Sequence, residues 1–330
     1  MNLRRFLLRK AAYVLLTVFF IAALNFLVFQ IIPGDPTRVL LPRGGSSQMG
    51  SETLRQELLH QWGLDQPVTT RFVVYLGNLL QGNFGTSITF RPGIPAMDVI
   101  APRLTTTLIL VGVATVVTMW VGMVLGRVSG WRRGRRSDVL ITMSSLFGYS
   151  MPSFWVSLVL IFAFAVELNF FPVHGEVSTD YATLDPLSQF LDRLYHLILP
   201  VLTFAITNVA WFSMTLRNSL TDVLPEDYML TARAKGLTGE QQLRWHAVPN
   251  ARLPVVTAAA IYFGWVLSGA IVIEVVFDFQ GLGKLTWEAT RALDYPLMSA
   301  IFLIATLGVV VANALADILY IFLDPRVREA

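Results

Sequence analysis

The sequence contains no cysteine in its 330 residues. This absence excludes a disulfide framework, a thiol nucleophile and any zinc or iron–sulfur site with cysteine ligands. Charge is also scarce, because Asp, Glu, Lys and Arg make up only 14% of the chain, against roughly 25% in soluble proteins. Hydrophobic residues account for 54%, and the mean hydropathy is +0.59. The composition therefore predicts an integral membrane protein.

A phosphate-binding loop of the form G-x-x-x-x-G-K-[ST] is also missing. The nearest string is GLGKLT at residues 281–286, which has Asp278 in place of the first Gly and Leu285 in place of the Ser or Thr. Without such a loop, we expect that this chain does not hydrolyse ATP, is not an enzyme and carries no cofactor of its own.

Six apolar runs are long enough to be candidate membrane-spanning helices. They cover residues 11–32, 104–126, 138–168, 197–216, 254–277 and 299–323. The first follows the basic stretch MNLRRFLLRK but exceeds a normal signal-peptide core, so it is interpreted as a retained anchor. The third is interrupted by Gly148 and Pro152 and is one kinked helix or two short ones.

The distribution of basic residues predicts the orientation. With the N-terminus in the cytoplasm and six crossings, 16 of the 25 Lys and Arg residues face the cytoplasm, which agrees with the positive-inside rule. The prediction divides the chain into residues 1–32, an extracytoplasmic insert at 33–103, and a core at 104–330 with a cytoplasmic segment at 217–253. Both termini are then cytoplasmic.

The cytoplasmic segment contains a polar stretch, residues 226–250, which we call the elbow. Glu226 and Asp227 favour the start of a short helix, and Gly236 is typical of the position just past its end. Thr238 and Gln241 have the spacing of a capping box that begins a second helix, which Pro249 is expected to close.

Three functions are possible for the elbow. A DNA-binding helix–turn–helix is disfavoured because the bilayer lies a few residues away on each side, so no nucleic-acid partner is predicted. An amphipathic linker on anionic lipid headgroups is favoured by Arg233, Lys235 and Arg244. A docking element for a cytoplasmic partner fits equally well. Residue patterns alone do not separate the last two.

The extracytoplasmic insert is predicted to be helical. SETLRQELLHQW, followed by Gly63, indicates one short helix, and VTTRFVVYLGNLL places Phe72, Tyr75, Leu76 and Leu79 on one face of another. The insert is interpreted either as a lid over helix ends or as a docking surface for a partner protein.

Polar residues at membrane depth are candidates for function. Asp317 is interpreted first as an inter-helix hydrogen-bonding group. Its second interpretation is as part of a translocation path. Asn208 and Pro152 are the other candidates for that path. Glu274 is placed near the outer end of the fifth run, and Arg217 lies at a helix end where snorkelling is expected to hydrate it.

A known loop pattern resembles the elbow. The EAA loop of ABC-importer permeases has E-A-A, three residues, Gly, nine residues, then I-x-L-P. Ala232 takes the position of its second Ala, Gly236 that of its Gly and Pro249 that of its Pro. Leu230 and Thr231 depart from the first two letters, and His246 and Val248 stand for the Ile and Leu.

The whole chain resembles the dipeptide/oligopeptide and nickel branch of these permeases, in which TARAKG takes the place of the strict E-A-A pattern. The resemblance is carried by IPGDP at 32–36, ELLHQWGLDQPV at 57–68, GNFGTS at 82–87, YSMPSFW at 149–155, EDYMLTARAKGLT at 226–238, NARLPVV at 250–256, GLG at 281–283, DYP at 294–296 and the final LDPRVR.

The resemblance implies an all-α type I ABC-importer permease in a bacterial inner membrane. Its partners would be a second, homologous permease forming a heterodimer, two ATPase subunits that bind ATP and Mg, an extracytoplasmic binding protein, lipid and a peptide substrate. It also implies that the elbow couples to the ATPases. The residues that it assigns to coupling are Asp227, Tyr228, Ala232, Arg233, Ala234, Lys235, Gly236 and Pro249.

The sequence also allows another substrate class and another class of membrane transporter. A nickel chelate or another small solute is a possible substrate, since related permeases carry such compounds. A secondary transporter or channel could share the six apolar runs, but it should show internal repeats or acidic residues buried mid-helix, and neither is evident.

Overall fold

The computed structural model describes residues 3–31, 56, 65–256, 258–259 and 270–323. Throughout these residues the regular structure is helical, apart from one isolated antiparallel bridge between Thr86 and Pro95. In chain order the helices are α1 (Leu3–Phe26), α2 (Val68–Leu80), α3 (Ala96–Trp131), α4 (Arg136–Ser150), α5 (Ser153–Leu160), α6 (Pro186–Val223), α7 (Asp227–Ala234), α8 (Gly239–Gln242), α9 (Val248–Ala251), α10 (Ile271–Val276), α11 (Leu282–Arg291) and α12 (Tyr295–Leu323).

Helices at four of the six predicted runs are long and apolar enough to cross a membrane. They are Arg9–Ile31, Ala96–Trp131, Pro186–Val223 and Tyr295–Ala314. The third run forms α4 and the helical residues 153–167, which meet at an angle of 100°. Eleven of the 24 residues of the predicted fifth run, residues 257 and 260–269, lie outside the described residues. The structure thus confirms an all-helical, multi-pass membrane protein, and the count of six stays a prediction.

Two helices are much longer than the predicted runs. α3 has 36 residues and α6 has 38, lengths of about 54 and 57 Å at 1.5 Å per residue. A bilayer core is about 30 Å thick, so both helices extend beyond it. Pro102 and Pro200 lie inside these helices without ending them. The predicted runs are shorter because they include only the apolar middle of each helix and not its more polar ends.

The described residues divide into two compact units, which we call the core unit (the described residues within 105–284 and 311–323) and the insert unit (those within 3–104 and 285–310). Within the core unit α6 is the central helix, since 67% of the residues in its most apolar stretch are buried. α3 approaches it through glycines at every fourth position. A methyl group on Gly122, Gly126 or Gly130 would lie 2.5 to 3.0 Å from atoms of Phe212, Ser213 or Leu220. This GxxxGxxxG stripe is not among the features predicted from the sequence, although its spacing is a known signal for close helix packing.

The insert unit is held together by aromatic and carboxylate contacts. The ring of Phe26 on α1 lies 5.1 Å from that of Phe72 on α2, which confirms the predicted apolar face of α2. One carboxylate oxygen of Asp294 accepts hydrogen bonds from the Ser87 hydroxyl at 2.6 Å and from three successive backbone N–H groups, residues 88–90, at 3.0 Å. Its other oxygen accepts from the backbone N–H of Leu297 in the first turn of α12. The GNFGTS and DYP motifs therefore meet at one carboxylate. The predicted helix at 51–62 lies outside the described residues except for Gln56.

Candidate functional site

The elbow forms the predicted pair of short helices. α7 ends at Ala234, and Gly236 follows with a φ of 76°, a left-handed conformation that glycine adopts readily. The capping box is complete, because the Thr238 hydroxyl accepts from the backbone N–H of Gln241 and the Gln241 side chain accepts from the backbone N–H of Thr238. These two devices give the elbow a defined shape that does not depend on a partner.

The second half of the elbow differs from the prediction at Pro249. The helical course does not stop there. α8 continues through a π-helical turn, Leu243–Ala247, into α9, and Pro249 lies in the first turn of α9. A proline in a regular helix clashes with the carbonyl four residues earlier. The π turn changes the hydrogen-bond register, as the Val248 N–H bonds to the Leu243 carbonyl, and this shift accommodates the ring.

The elbow has one face buried against the core unit. Met229, Ala232, Leu243 and Ala247 are buried there, as is Ala251 directly after the elbow. Among the residues assigned to coupling, Ala232 therefore packs inward, and its small side chain permits a close approach. Pro249 is half-buried. The other six are exposed, namely Asp227, Tyr228, Arg233, Ala234, Lys235 and Gly236.

The exposed side of the elbow carries large apolar side chains as well as charge. Leu230 is 54% exposed and Trp245 is 56% exposed, and Tyr228 is also on the surface. Arg233, Lys235 and Arg244 are exposed between them. Leu230 and Trp245 are not among the residues predicted from the sequence. The sequence signal for an exposed Leu230 is its position next to Met229, because consecutive residues of a helix face different directions and only one of the two can be buried.

The end of α3 supports the second half of the elbow. Arg127 forms an ion pair with Glu240 on α8, and both side chains are at the surface. A methyl group on Gly239 would come within 3.2 Å of the Trp131 ring. The buried Gln242 side chain donates to the Leu237 carbonyl at 2.6 Å, which closes the turn between α7 and α8.

Arg217, about two turns before the end of α6, forms an ion pair, whereas snorkelling to water was the expectation. Its guanidinium donates to both carboxylate oxygens of Asp138 in the first turn of α4, at 2.6 and 2.8 Å. Asp138 is almost completely buried, so an arginine reaching for water would leave that carboxylate without its partner. Sequence spacing could not reveal this pair, because its members are 79 residues apart.

The three candidate path residues are not gathered by the structure into one described site. The Asn208 amide donates to the Phe204 carbonyl and to the Thr207 hydroxyl, both at 2.9 Å and both within α6. Pro152 is exposed at the bend between α4 and α5. The side chain of Asp317 lies outside the described residues. Assignment of these residues to a translocation path stays a prediction.

The GLG string at 281–283 surrounds a carboxylate of the chain itself. Glu274 is completely buried, and its oxygens accept from the Thr107 hydroxyl at 2.7 Å and the Lys284 backbone N–H at 2.9 Å. A methyl group on Gly281 would lie 2.3 to 2.4 Å from this carboxylate. The space beside Gly281 is therefore occupied by the Glu274 side chain. Within the described residues, no cluster of three or more His, Asp or Glu side chains could hold a metal.

Comparison with known proteins gives two family matches that together span most of the chain. Residues 122–329 match the model described as binding-protein-dependent transport system inner membrane component, and residues 3–111 match the N-terminal model of such membrane components.

Individual relatives are similar over nearly their whole length. The oligopeptide transport system permease protein AppB of Bacillus subtilis is 35% identical over 308 residues, covering 93% of this chain and 94% of the relative. The dipeptide transport system permease protein DppB of Escherichia coli K12 is 34% identical, with coverage of 98% and 99%. The glutathione transport system permease protein GsiC of the same strain is 36% identical, with coverage of 94% and 95%.

Proposed function

The chain belongs to the family of binding-protein-dependent transport system inner membrane components, and from this premise we propose that its elbow docks on ATPase subunits of a peptide importer. The chain is a transport permease and not an enzyme. Membership of this family replaces the secondary-transporter alternative. In the proposed complex, ATP binds and is hydrolysed in partner subunits, and this chain forms part of the path and moves in response.

The observation that carries the docking proposal is the division of the elbow into two faces. Met229 and Ala232 already bury the apolar face of α7 against the core unit. A helix that lies on a membrane needs a free apolar face to insert. What remains exposed is a mixed surface in which Tyr228 and Leu230 stand beside Arg233 and Lys235. Aromatic and apolar anchors next to arginine are typical of protein interfaces.

The filled GLG loop supports the assignment of ATP hydrolysis to partners. The string lacks the first Gly and the Ser or Thr of a phosphate-binding loop, and the space beside Gly281 already holds the Glu274 side chain. We therefore expect no ATP hydrolysis above background from the purified chain alone. Turnover that appears only with co-purified ATPase subunits agrees with this proposal, and turnover by this chain alone contradicts it.

A peptide is the proposed substrate class. The three relatives described above are named for oligopeptides, dipeptides and glutathione, which is itself a tripeptide. In importers of this kind the binding protein selects the ligand, so native mass spectrometry of the binding protein that co-purifies is the direct test. A nickel chelate in its pocket would replace the peptide assignment.

The proposed topology has six crossings with both termini in the cytoplasm. The natural sequence lacks cysteine, so single cysteines can be placed without a background signal. Gln81 in the insert and Arg244 in the elbow are both exposed in the structure. We expect Gln81→Cys to react with an impermeant thiol reagent in intact spheroplasts and Arg244→Cys to react only after lysis. Reversed labelling would contradict the orientation.

The docking proposal is tested by variants whose changes are confined to the elbow. Gly236→Val places a β-branched residue in a left-handed conformation, at a cost of about 1 kcal/mol or more, and changes the direction in which α8 leaves α7. Arg233→Glu and Lys235→Glu reverse exposed charges. We expect all three variants to insert in normal amounts, to lose substrate uptake and to retain less ATPase in a pull-down from the same membranes.

A matched control is Gly82→Val, which imposes the same kind of backbone strain. Gly82 has a φ of 74° and, like Gly236, has no atom within 4 Å of the position of an added methyl group. Because it lies in the insert unit, it should leave the ATPase pull-down unchanged. Normal uptake and pull-down in all three elbow variants would show that the elbow only rests on headgroups. In that case charge reversal would weaken surface attachment by about 1 kcal/mol per residue.

The insert is proposed to dock the extracytoplasmic binding protein. The Asp294 carboxylate holds the loop at residues 87–90 against the start of α12, so a protein bound to this loop would act directly on a long apolar helix. The alternative, a lid that only covers helix ends, predicts normal binding-protein affinity when exposed insert residues such as Gln81 are replaced by bulky ones.

A further inference from the structure

The Asp138–Arg217 ion pair has a geometry that fixes orientation as well as distance. The guanidinium approaches the carboxylate with two nitrogens, Nε to Oδ1 at 2.6 Å and Nη2 to Oδ2 at 2.8 Å. The Asp138 side chain is 4% exposed and that of Arg217 is 23% exposed. A two-point contact of this kind resists rotation of one helix against the other, and a lysine, which has a single charged nitrogen, does not reproduce it.

α4 is held on α6 at a second place. A methyl group on Gly148 would lie 2.5 Å from the backbone carbonyl oxygen of Ile206, so the two backbones are in direct contact there. From Asp138 to Gly148 the chain rises about 15 Å along α4, and from Ile206 to Arg217 about 16 Å along α6. Because the contact that comes later in α4 comes earlier in α6, the two helices lie antiparallel, and the nearly equal distances mean that both contacts fit at once and join the helices as one block.

The pair lies between two features that the function has to connect. Arg217 precedes the end of α6 at Val223, after which the elbow begins. α4 leads from Asp138 to Ser150 and then into the 100° bend at Pro152. Asp138 also accepts a hydrogen bond from the backbone N–H of Gly134 at 2.9 Å, so the turn between α3 and α4 is attached to the same carboxylate.

We infer that Asp138 and Arg217 are a positioning pair that transmits displacement of the elbow through the α4–α6 block to the bend at Pro152. This inference rests on the proposed function of the elbow. When the ATPases move the elbow, the end of α6 moves with it, and the buried pair obliges α4 to follow. Without the pair, α6 can turn or slide against the start of α4, and the bend no longer follows the ATPases.

The test measures coupling in the assembled transporter in membrane vesicles, as substrate imported per ATP hydrolysed. Asp138→Asn/Arg217→Gln removes both charges, so no buried charge is left alone. Arg217→Lys keeps the charge and removes the two-point contact. We expect both variants to retain the ATPases in a pull-down and to hydrolyse ATP, while import per ATP falls by a factor between about 2 and 30, the range typical of residues that carry coupling.

The matched control is Arg103→Gln/Glu288→Gln, which removes another partly buried ion pair, located in the insert unit. Its import per ATP should equal that of the natural chain. A wild-type ratio in Arg217→Lys or in the double variant would overturn the inference. Loss of the ATPases from the double variant would also overturn it, because the pair would then shape the docking surface. If the double variant does not accumulate, Arg217→Lys decides.

These outcomes are distinguishable from failure of the proposed function. The docking proposal fails when Gly236→Val and the charge reversals leave pull-down and uptake normal. The positioning variants leave the exposed elbow surface unchanged, so their effect is on the ratio of import to hydrolysis and not on ATPase association.

Discussion

The elbow and the GLG loop are both polar, glycine-containing segments beside apolar ones, yet they use their polar groups in opposite ways. In the elbow, Arg233 and Lys235 are exposed, and nothing lies within 4 Å of the place where Gly236 would carry a methyl group. In the GLG loop, Glu274 is buried and its carboxylate fills the space beside Gly281. The elbow leaves its polar groups exposed at the surface, whereas the loop pairs a buried carboxylate within the chain.

The two glycines are accordingly required for different reasons. Gly236 is needed for its left-handed φ of 76°, and Gly281 is needed for the space that it leaves. Substitution by alanine should therefore have different effects at the two positions. Gly281→Ala should lower stability, and Gly236→Ala should lower coupling.

The largest effect is expected for Gly281→Ala. Its new methyl group would have to displace the Glu274 carboxylate from the Thr107 hydroxyl and the Lys284 N–H, and each buried polar group left unsatisfied costs about 1 to 3 kcal/mol. The folded permease should become scarce in membranes and should unfold at lower temperature in detergent. Wild-type abundance and thermal stability would show that the loop does not brace the core unit.

Glu274→Gln should have a smaller effect of the same kind. The amide keeps the shape of the side chain, but its NH2 group cannot accept a hydrogen bond from the Thr107 hydroxyl or the Lys284 N–H. One unsatisfied buried group costs about 1 to 3 kcal/mol. Thermal unfolding in detergent should report this loss, with the exposed Glu240→Gln as the comparison. An equal shift for both variants would contradict the difference between the two regions.

Gly236→Ala should cost about 1 kcal/mol, because alanine is strained in the left-handed region but meets no neighbouring atom. We expect the thermal stability of the complex to change little, while uptake falls below that of the natural chain. A loss of folded protein comparable to that of Gly281→Ala would mean that the elbow is a structural brace as well.

The smallest effect is expected for removal of the Arg127–Glu240 pair, which joins the elbow to α3 at the surface. Exposed ion pairs contribute about 0.2 to 1 kcal/mol. Arg127→Gln should leave thermal stability and ATPase association within error of the natural chain. A large loss of either would show that the elbow depends on α3 for its position.

Features set by local chemistry could be predicted from the sequence. The capping box at Thr238 and Gln241, the left-handed Gly236 and the interruption at Pro152 each depend on a few neighbouring residues, and all three are present. The apolar face of α2 follows from its period in the same way. These predictions needed no knowledge of what the segments pack against.

Features set by contacts between distant segments could not be predicted. The Asp138–Arg217 pair, the contacts of Glu274 with Thr107 and Lys284, and the contacts of Asp294 with residues 87–90 join residues between 10 and 207 positions apart, and no short pattern encodes them. The course of the chain through Pro249 was missed because a π turn, which has no reliable sequence signal, relieves the clash. Within the elbow, the inward direction of the Ala232 side chain depends on the packing of α7 against the rest of the core unit, which no local pattern encodes.

Photo-crosslinking from Leu230 in the assembled transporter tests the central claim most directly. This side chain is large, apolar and 54% exposed on the outer side of α7, so a photoreactive residue there preserves the buried face of the elbow. Trp120, which is exposed on α3, serves as the comparison position. The docking account predicts an ATPase subunit attached at position 230 and none at position 120. Capture of lipid alone at position 230 would contradict it.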